Sequence, residues 1–204
     1  MMYTVECPAE TMKYFDRKIM TDEWFNSSAT YRVDSDVFMP YDGLTRIKLN
    51  TPNEYIWEQK EINISFIWRF ENNICQNYVT EKFWNSLRSL TVPIVFNRSV
   101  FKGMDIPSNA FIAVDDFNSI NELIEYLKAL TNNTEKYLKH FEWTKTYTKR
   151  KIVYDYLPLC KICEYATKHF EQKTKSKINL NQFWNEKHCN NNFVKNFLKK
   201  NKFY

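Results

Sequence analysis

The chain has 204 residues and a formal net charge of +5, with 29 Lys and Arg against 24 Asp and Glu. That length suits one domain with a substantial core, or two small ones. Only two glycines occur, Gly43 and Gly103, which excludes glycine-rich phosphate loops. Any nucleotide site must therefore use side chains and a helix end.

No apolar run is long enough to span a membrane, and no signal peptide stands at Met1. Much of the charge excess lies in the tail, at Lys173, Lys175, Lys177, Lys195, Lys199, Lys200 and Lys202. A solvated helix face accounts for it better than nucleic acid does. Sequons at Asn26, Asn63, Asn97 and Asn132 are a weak sign of the secretory pathway, because Asn-rich chains make them by chance. The cysteines are Cys7, Cys75, Cys160, Cys163 and Cys189. Their odd number implies a free thiol or a partner outside the chain.

In chain order, Met1–Val5 reads as a short strand running into Glu6-Cys7-Pro8. Asp34-Ser35-Asp36 has the spacing of a metal-binding D-x-D string, in which paired carboxylates hold a hard cation. Three residues in an Asp-rich chain carry little weight. Residues 45–62 are polar and irregular. Ile64 to Phe70 is β-branched and aromatic, a strand ending at Glu71. Val79, Phe83, Trp84, Leu87 and Leu90 then share one helical face, with Asn77 or Thr80 as its cap. Thr91 to Phe96 and residues 111–114 read as further strands, short and apolar as in a buried parallel sheet.

The result is a βαβ unit, which binds ligands at the carboxyl ends of its strands. The loop with Asn72, Tyr78, Glu81 and Lys82 lies there. A lysine in a first helical turn opposes the helix dipole, and a bound phosphate is a good reason for one. Ile120, Leu123, Ile124, Leu127 and Leu130 mark an amphipathic helix capped by Asn118 or Ser119. Asn132 to Phe141 reads as another helix, and 149–204 as mainly helical. Cys160-x-x-Cys163 fits a redox pair, half a zinc site or structural disulfides, with Cys189 able to bond either cysteine.

Phe70-Glu71-Asn72-Asn73 followed by Tyr78-Val79-Thr80-Glu81-Lys82-Phe83-Trp84 resembles the FEN…YVTEKFW signature of the α1,3/4-fucosyltransferases, glycosyltransferase family 10. Phe25 to Tyr41, Val92-Pro93-Ile94-Val95 and Ser108 to Phe117 match in the same order. The resemblance implies the GT-B architecture: a Rossmann-like donor domain with a parallel sheet, here 63–148, beside a partial acceptor domain, 1–44, and a C-terminal helical region, 149–204. It implies inverting transfer of fucose from GDP-fucose to N-acetylglucosamine of glycoprotein or glycolipid glycans. Glu6 matches the position of the proposed catalytic base, with Cys7 in place of the family's serine; the bland reading is a surface glutamate at a strand end.

Asn72, Tyr78, Glu81 and Lys82 are then the donor residues, and Glu71, Tyr31 and Arg32 line the cleft. Asp34 and Asp36 fall inside the longer family string and are structural, with Arg32 an internal partner. No metal is required, and a divalent cation is at most a stimulant. The partners are a nucleotide sugar and a glycan acceptor, and not nucleic acid. The setting is the Golgi lumen, with a membrane anchor that is not in this sequence. In the family the C-terminal CxxC pairs with cysteines of the stem.

The chain departs from the pattern at 45–62. There a linker replaces the opening of the donor domain, which includes an arginine that contacts the donor phosphates. Arg46 and Arg69 lie near this gap but not in a matching string. Most of the acceptor domain before Glu6 is also missing. A shortened member, a damaged gene copy and an incomplete gene model all fit. The alternative to an active transferase is a remnant that keeps only nucleotide-sugar binding.

Overall fold

The computed structural model describes all residues except 17, 19, 59–61, 150–156, 171–177 and 202–204. Lys173, Lys175, Lys177 and Lys202 of the basic tail therefore lie outside the described residues. The chain is a mixed α/β structure with parallel sheets. Strand β1 (Met2–Thr4) leads through a one-turn helix α1 (Pro8–Thr11) to β2 (Ser28–Thr30) and β3 (Val37–Phe38), which pair in parallel in that order. A second parallel sheet holds β4 (Phe66–Trp68), β5 (Val92–Val95) and β6 (Ile112–Ala113), also side by side in chain order. Helix α2 (Glu81–Arg88) links β4 to β5, which makes the expected βαβ unit.

Local chemistry explains these elements. All four residues of β5 are buried, as a central parallel strand requires. Pro93 is tolerated in it despite lacking an N–H. Val92 N donates to Ser65 O and Ile94 O accepts from Arg69 N, so those residues face β4. The nitrogen of Pro93 therefore faces the β6 side, where pairing begins only at Ile94–Ile112. Strand β4 is shorter than the Ile64–Phe70 run and half exposed, because it is an edge strand.

Helix α2 starts at Thr80, whose hydroxyl caps it, and buries Phe83, Trp84 and Leu87. Each such side chain contributes about 1.5–3 kcal/mol. Helix α3 (Ile120–Thr131) is capped by Ser119. Asn133 caps α4 (Thr134–Leu138), which tightens into a 3₁₀ stretch over Lys139–Lys145, so the helix expected from Asn132 to Phe141 changes pitch part-way. Phe141 and Trp143 are core residues. The 45–62 segment is clasped to the second sheet's domain through Ile47 N to Thr146 O and Thr148 N to Thr45 O, both 2.8 Å.

The tail is helical, as read from sequence: α5 (Leu157–His169), α6 (Leu180–Phe183) and α7 (Phe193–Lys200). Ile162 and Tyr165 of α5 pack against Ala29, Val37 and Met39. In α7, Phe193 meets Phe96 while Lys195, Lys199 and Lys200 are exposed, a solvated face. A separate core joins Met2 and Tyr31 of the first sheet's region to Cys75 and Tyr78 of the motif loop and to Leu180 and Trp184 of the tail. This core fixes the loop against the first sheet.

Candidate active site

After β4 the chain crosses the carboxyl end of the sheet as a loop and then enters α2. Glu71 closes this loop: its carboxylate accepts from Thr80 N at 2.8 Å and from Thr80 Oγ1 at 2.7 Å. Burial raises the Glu71 pKa above the usual carboxylate range, against the opposing pull of the Thr80 bonds and the Lys82 charge. Asn77 takes φ +58°, a left-handed conformation that Asn adopts more readily than most residues. Its amide donates to Lys102 O at 2.8 Å and Val100 O at 3.2 Å, which anchors the turn and directs Tyr78 inward. Lys82 is half-buried. Its ammonium donates to Asn72 Oδ1 at 2.9 Å and Phe70 O at 3.4 Å, which puts a positive charge at the carboxyl end of β4. Glu81 is exposed in the first turn of α2.

Glu6 follows β1, and its Oε2 accepts from the Tyr78 hydroxyl at 2.8 Å across 72 residues of sequence. Thr4 Oγ1 accepts from Glu6 N at 3.2 Å and so holds the glutamate's backbone. The Tyr78 ring is 4% exposed. It packs on Tyr31 and Tyr41 at centroid distances of 5.2 and 6.1 Å, and Tyr41 Oη donates to Val5 O at 2.8 Å. Burial, and next the bond to Glu6, push the Tyr78 phenol well above its usual range, so it remains a donor at neutral pH. Cys7 is fully buried, and burial pushes its thiol up. It occupies the N-cap position of α1 without a side-chain cap bond.

Two residues expected to line the cleft are buried. Tyr31 is 1% exposed, wedged between Tyr78 and Trp184, and its hydroxyl has no hydrogen-bond partner among the described residues. Arg32 is 3% exposed: it pairs with Asp34, donates to Phe183 O at 2.6 Å and lies over the Phe183 ring. Both are drawn inward by the core shared with the tail. Against the opposing effect of burial, the Arg32 guanidinium holds the Asp34 carboxyl below its usual range. Asp36 Oδ2 accepts from Ser28 N at 2.8 Å and from Ser28 Oγ at 3.1 Å. The D-x-D carboxylates are thus engaged with different internal partners.

The cysteine expectation needs correction. Cys189 is bonded to Cys75, whereas Cys160 and Cys163 are free, exposed thiols on α5. Main-chain pairing decides this: Gln76 N donates to His188 O at 2.8 Å and Asn190 N to Ile74 O at 2.6 Å, which sets Cys75 opposite Cys189. The cysteine inside the motif loop was the available signal. Next to this disulfide opens a cleft of about 580 Å³ lined by residues that include Gln76, Lys102, Lys187 and His188.

Sequence reasoning also missed Glu10, whose Oε1 accepts from Asn73 Nδ2 at 2.9 Å. Arg46 pairs with Asp105 on the surface. Arg69 donates to Ser86 Oγ at 2.8 Å and borders a cavity of about 20 Å³, room for about one water. Of the sequon asparagines, Asn26, Asn63 and Asn132 are exposed, and Asn97 Oδ1 accepts from Ser99 N at 2.8 Å.

Residues 41–204 match the family described as glycosyltransferase family 10 (fucosyltransferase), C-terminal part. The chain belongs to glycosyltransferase family 10. It is 32% identical over 136 residues to alpha-(1,3)-fucosyltransferase fut-5 of Caenorhabditis elegans, covering 65% of this chain and 36% of that protein. It is 29% identical over 226 residues to 4-galactosyl-N-acetylglucosaminide 3-alpha-L-fucosyltransferase 9 of Mus musculus, covering 86% of this chain and 62% of the mouse protein. Alpha-(1,3)-fucosyltransferase fut-1 of C. elegans is 38% identical over 119 residues, covering 53% of this chain and 27% of that family member. The chain therefore spans between about a quarter and three-fifths of these relatives. In the mouse alignment, 86% of this chain, about 175 residues, is spread over 226 positions. About fifty positions of that relative thus have no counterpart within the matched stretch.

Proposed function

We propose that this family 10 chain is a fucosyltransferase of the inverting, GT-B type, using GDP-fucose as donor and N-acetylglucosamine of a protein- or lipid-linked glycan as acceptor. The observation that carries the reading is the meeting of Glu6 with the motif loop through Tyr78. Inverting transfer needs a carboxylate to take the acceptor's proton as its oxygen attacks the anomeric carbon. It also needs cations and N–H dipoles for the charge that develops on the departing diphosphate. Glu6 is the carboxylate of this reading. Lys82 and the first turn of α2 receive the diphosphate, Glu81 accepts from sugar or ribose hydroxyls, and Asn72, already bonded to Lys82, orients the ammonium. Divalent cations act at most as stimulants. Transfer takes place in the Golgi lumen, in keeping with the sequons. Among the described residues no helix is long and apolar enough to cross a membrane.

A second reading is nucleotide-sugar binding without turnover. The positions of the mouse relative that find no counterpart here favour it, because base and donor must be held at a fixed separation. Incubating the protein with GDP-fucose and an N-acetylglucosamine acceptor, with released GDP and fucosylated product measured together, separates the two. Product with stoichiometric GDP supports transfer. GDP-fucose binding without product supports the second reading, and no binding refutes both.

A further inference from the structure

We infer that the cleft beside the Cys75–Cys189 disulfide is a saccharide site for a sugar that carries an acidic group, a sulfate or a carboxylate. It rests on the reading of the chain as a glycan-modifying protein and adds a second point of glycan contact. Three segments meet around the cleft: Val33 after β2, Ser99, Lys102 and Gly103 after β5, and Lys187 to Asn190 of the tail. Ligand pockets form preferentially at such junctions, and a volume of about 580 Å³ lies within the usual ligand range. The walls are fixed by the chain itself. Lys102 N donates to Ser99 O at 3.1 Å, and Gly103 takes φ +82°, where a side chain is strained. A Cβ on Gly103 would lie 3.2 Å from Val33 Cγ2, so glycine lets this turn approach Val33 closely. On the tail side, Lys187 N donates to Asn185 Oδ1 at 2.9 Å and His188 N to Asn185 O at 3.1 Å.

The lining is cationic. Lys102 and Lys187 are exposed and pair with no carboxylate among the described residues, whereas Lys13, Lys128 and Lys168 each do. Among the described residues no aspartate or glutamate lines the cleft, and Asp34, next to Val33, is already paired with Arg32. A sulfate or carboxylate supplies the anion that two such ammonium groups lack. The remaining lining suits the rest of a sugar. The Ser99 hydroxyl gives its proton to Asn97 Oδ1 and can accept from a sugar hydroxyl, while the Asn190 amide both donates and accepts. Val33 and Val100 offer apolar surface to the C–H face of a ring. A small inorganic anion would leave these groups unused.

The test titrates wild type and Lys102→Gln/Lys187→Gln with four probes at low salt: neutral N-acetyllactosamine, its 6-sulfated form, its sialylated form and inorganic sulfate. Both lysines are exposed, so the variant should unfold at the wild-type temperature. Wild type should bind one or both acidic saccharides more tightly than the neutral one, by about 3- to 30-fold, the span of two exposed charge contacts. Whichever acidic form binds identifies the group as sulfate or carboxylate. The double variant should lose that advantage, and added salt should erode it in wild type. Saturating GDP should leave it unchanged. Equal affinity for neutral and acidic saccharides, or an advantage that survives in the double variant, overturns the inference. Displacement by GDP also overturns it, by placing the anion in the donor site. Inorganic sulfate binding as tightly as the acidic saccharides would remove the sugar from the assignment and overturn it too. Absent transfer or GDP binding would refute the proposed function alone, since this titration needs neither.

Discussion

Removing the Cys75–Cys189 bond with the double substitution Cys75→Ala/Cys189→Ala should destabilise the fold by about 3 kcal/mol. The bond joins residues separated by 114 positions. Cross-linking a loop of that size removes unfolded-chain entropy worth about 5 kcal/mol as a ceiling, and losses measured for native disulfides run at about 2–5 kcal/mol. The two flanking main-chain bonds, Gln76 to His188 and Asn190 to Ile74, persist in the variant and keep the loss below that ceiling. With a urea slope of about 3 kcal/mol per molar, the unfolding midpoint should fall by about 1 M. Wild type incubated with reductant should shift by a similar amount. The motif loop should also exchange its amide hydrogens faster, because the tail no longer pins it. A midpoint within about 0.2 M of wild type, with unchanged slope, would show that the main-chain bridge alone holds tail and loop together.

Arg88→Met should cost about 3–5 kcal/mol in urea unfolding, because it removes the cation that pairs with the buried Asp42 carboxylate at 3.2 Å. Stability should fall as pH drops below about 6.5: burial lowers the His140 pKa in the fold, so the unfolded chain takes up the proton first and gains from acidity. His140→Gln should flatten that limb in unfolding curves measured between pH 7.5 and 5.5, and an unchanged slope would remove His140 as its cause. Asp36→Ala should lower stability by about 1–3 kcal/mol through loss of its bonds to Ser28. GDP-fucose binding should meanwhile stay insensitive to chelator; loss of binding on chelation, mimicked by this variant, would restore the metal reading of Asp34 and Asp36.

The unit from Phe66 to Val95 was legible because its signals are local: a β-branched run, a polar loop, an apolar helical face and a second apolar run. The cap was readable to within two candidates, and Thr80 takes it because Asn77 is committed to the turn. Strand ends were less legible, since β4 and β6 stop where their neighbours stop pairing. Tyr31 and Arg32 stand in a family string that gives no sign of depth, and only the packing of Trp184 and Phe183 over them buries both. The disulfide was hidden because its two halves meet through a tail whose docking no periodicity records. Glu6 and Tyr78 were each visible by resemblance. Their contact was not, because it depends on how the two sheets are set against each other.

Isothermal titration of GDP-fucose into wild type and Lys82→Ala decides whether the first turn of α2, with Lys82, holds the diphosphate of a nucleotide sugar. Saturable binding at one site is expected, with a loss of about tenfold or more in the variant, the contribution of one charge-assisted contact. Equal affinity in the two proteins, or no binding by wild type, would contradict it.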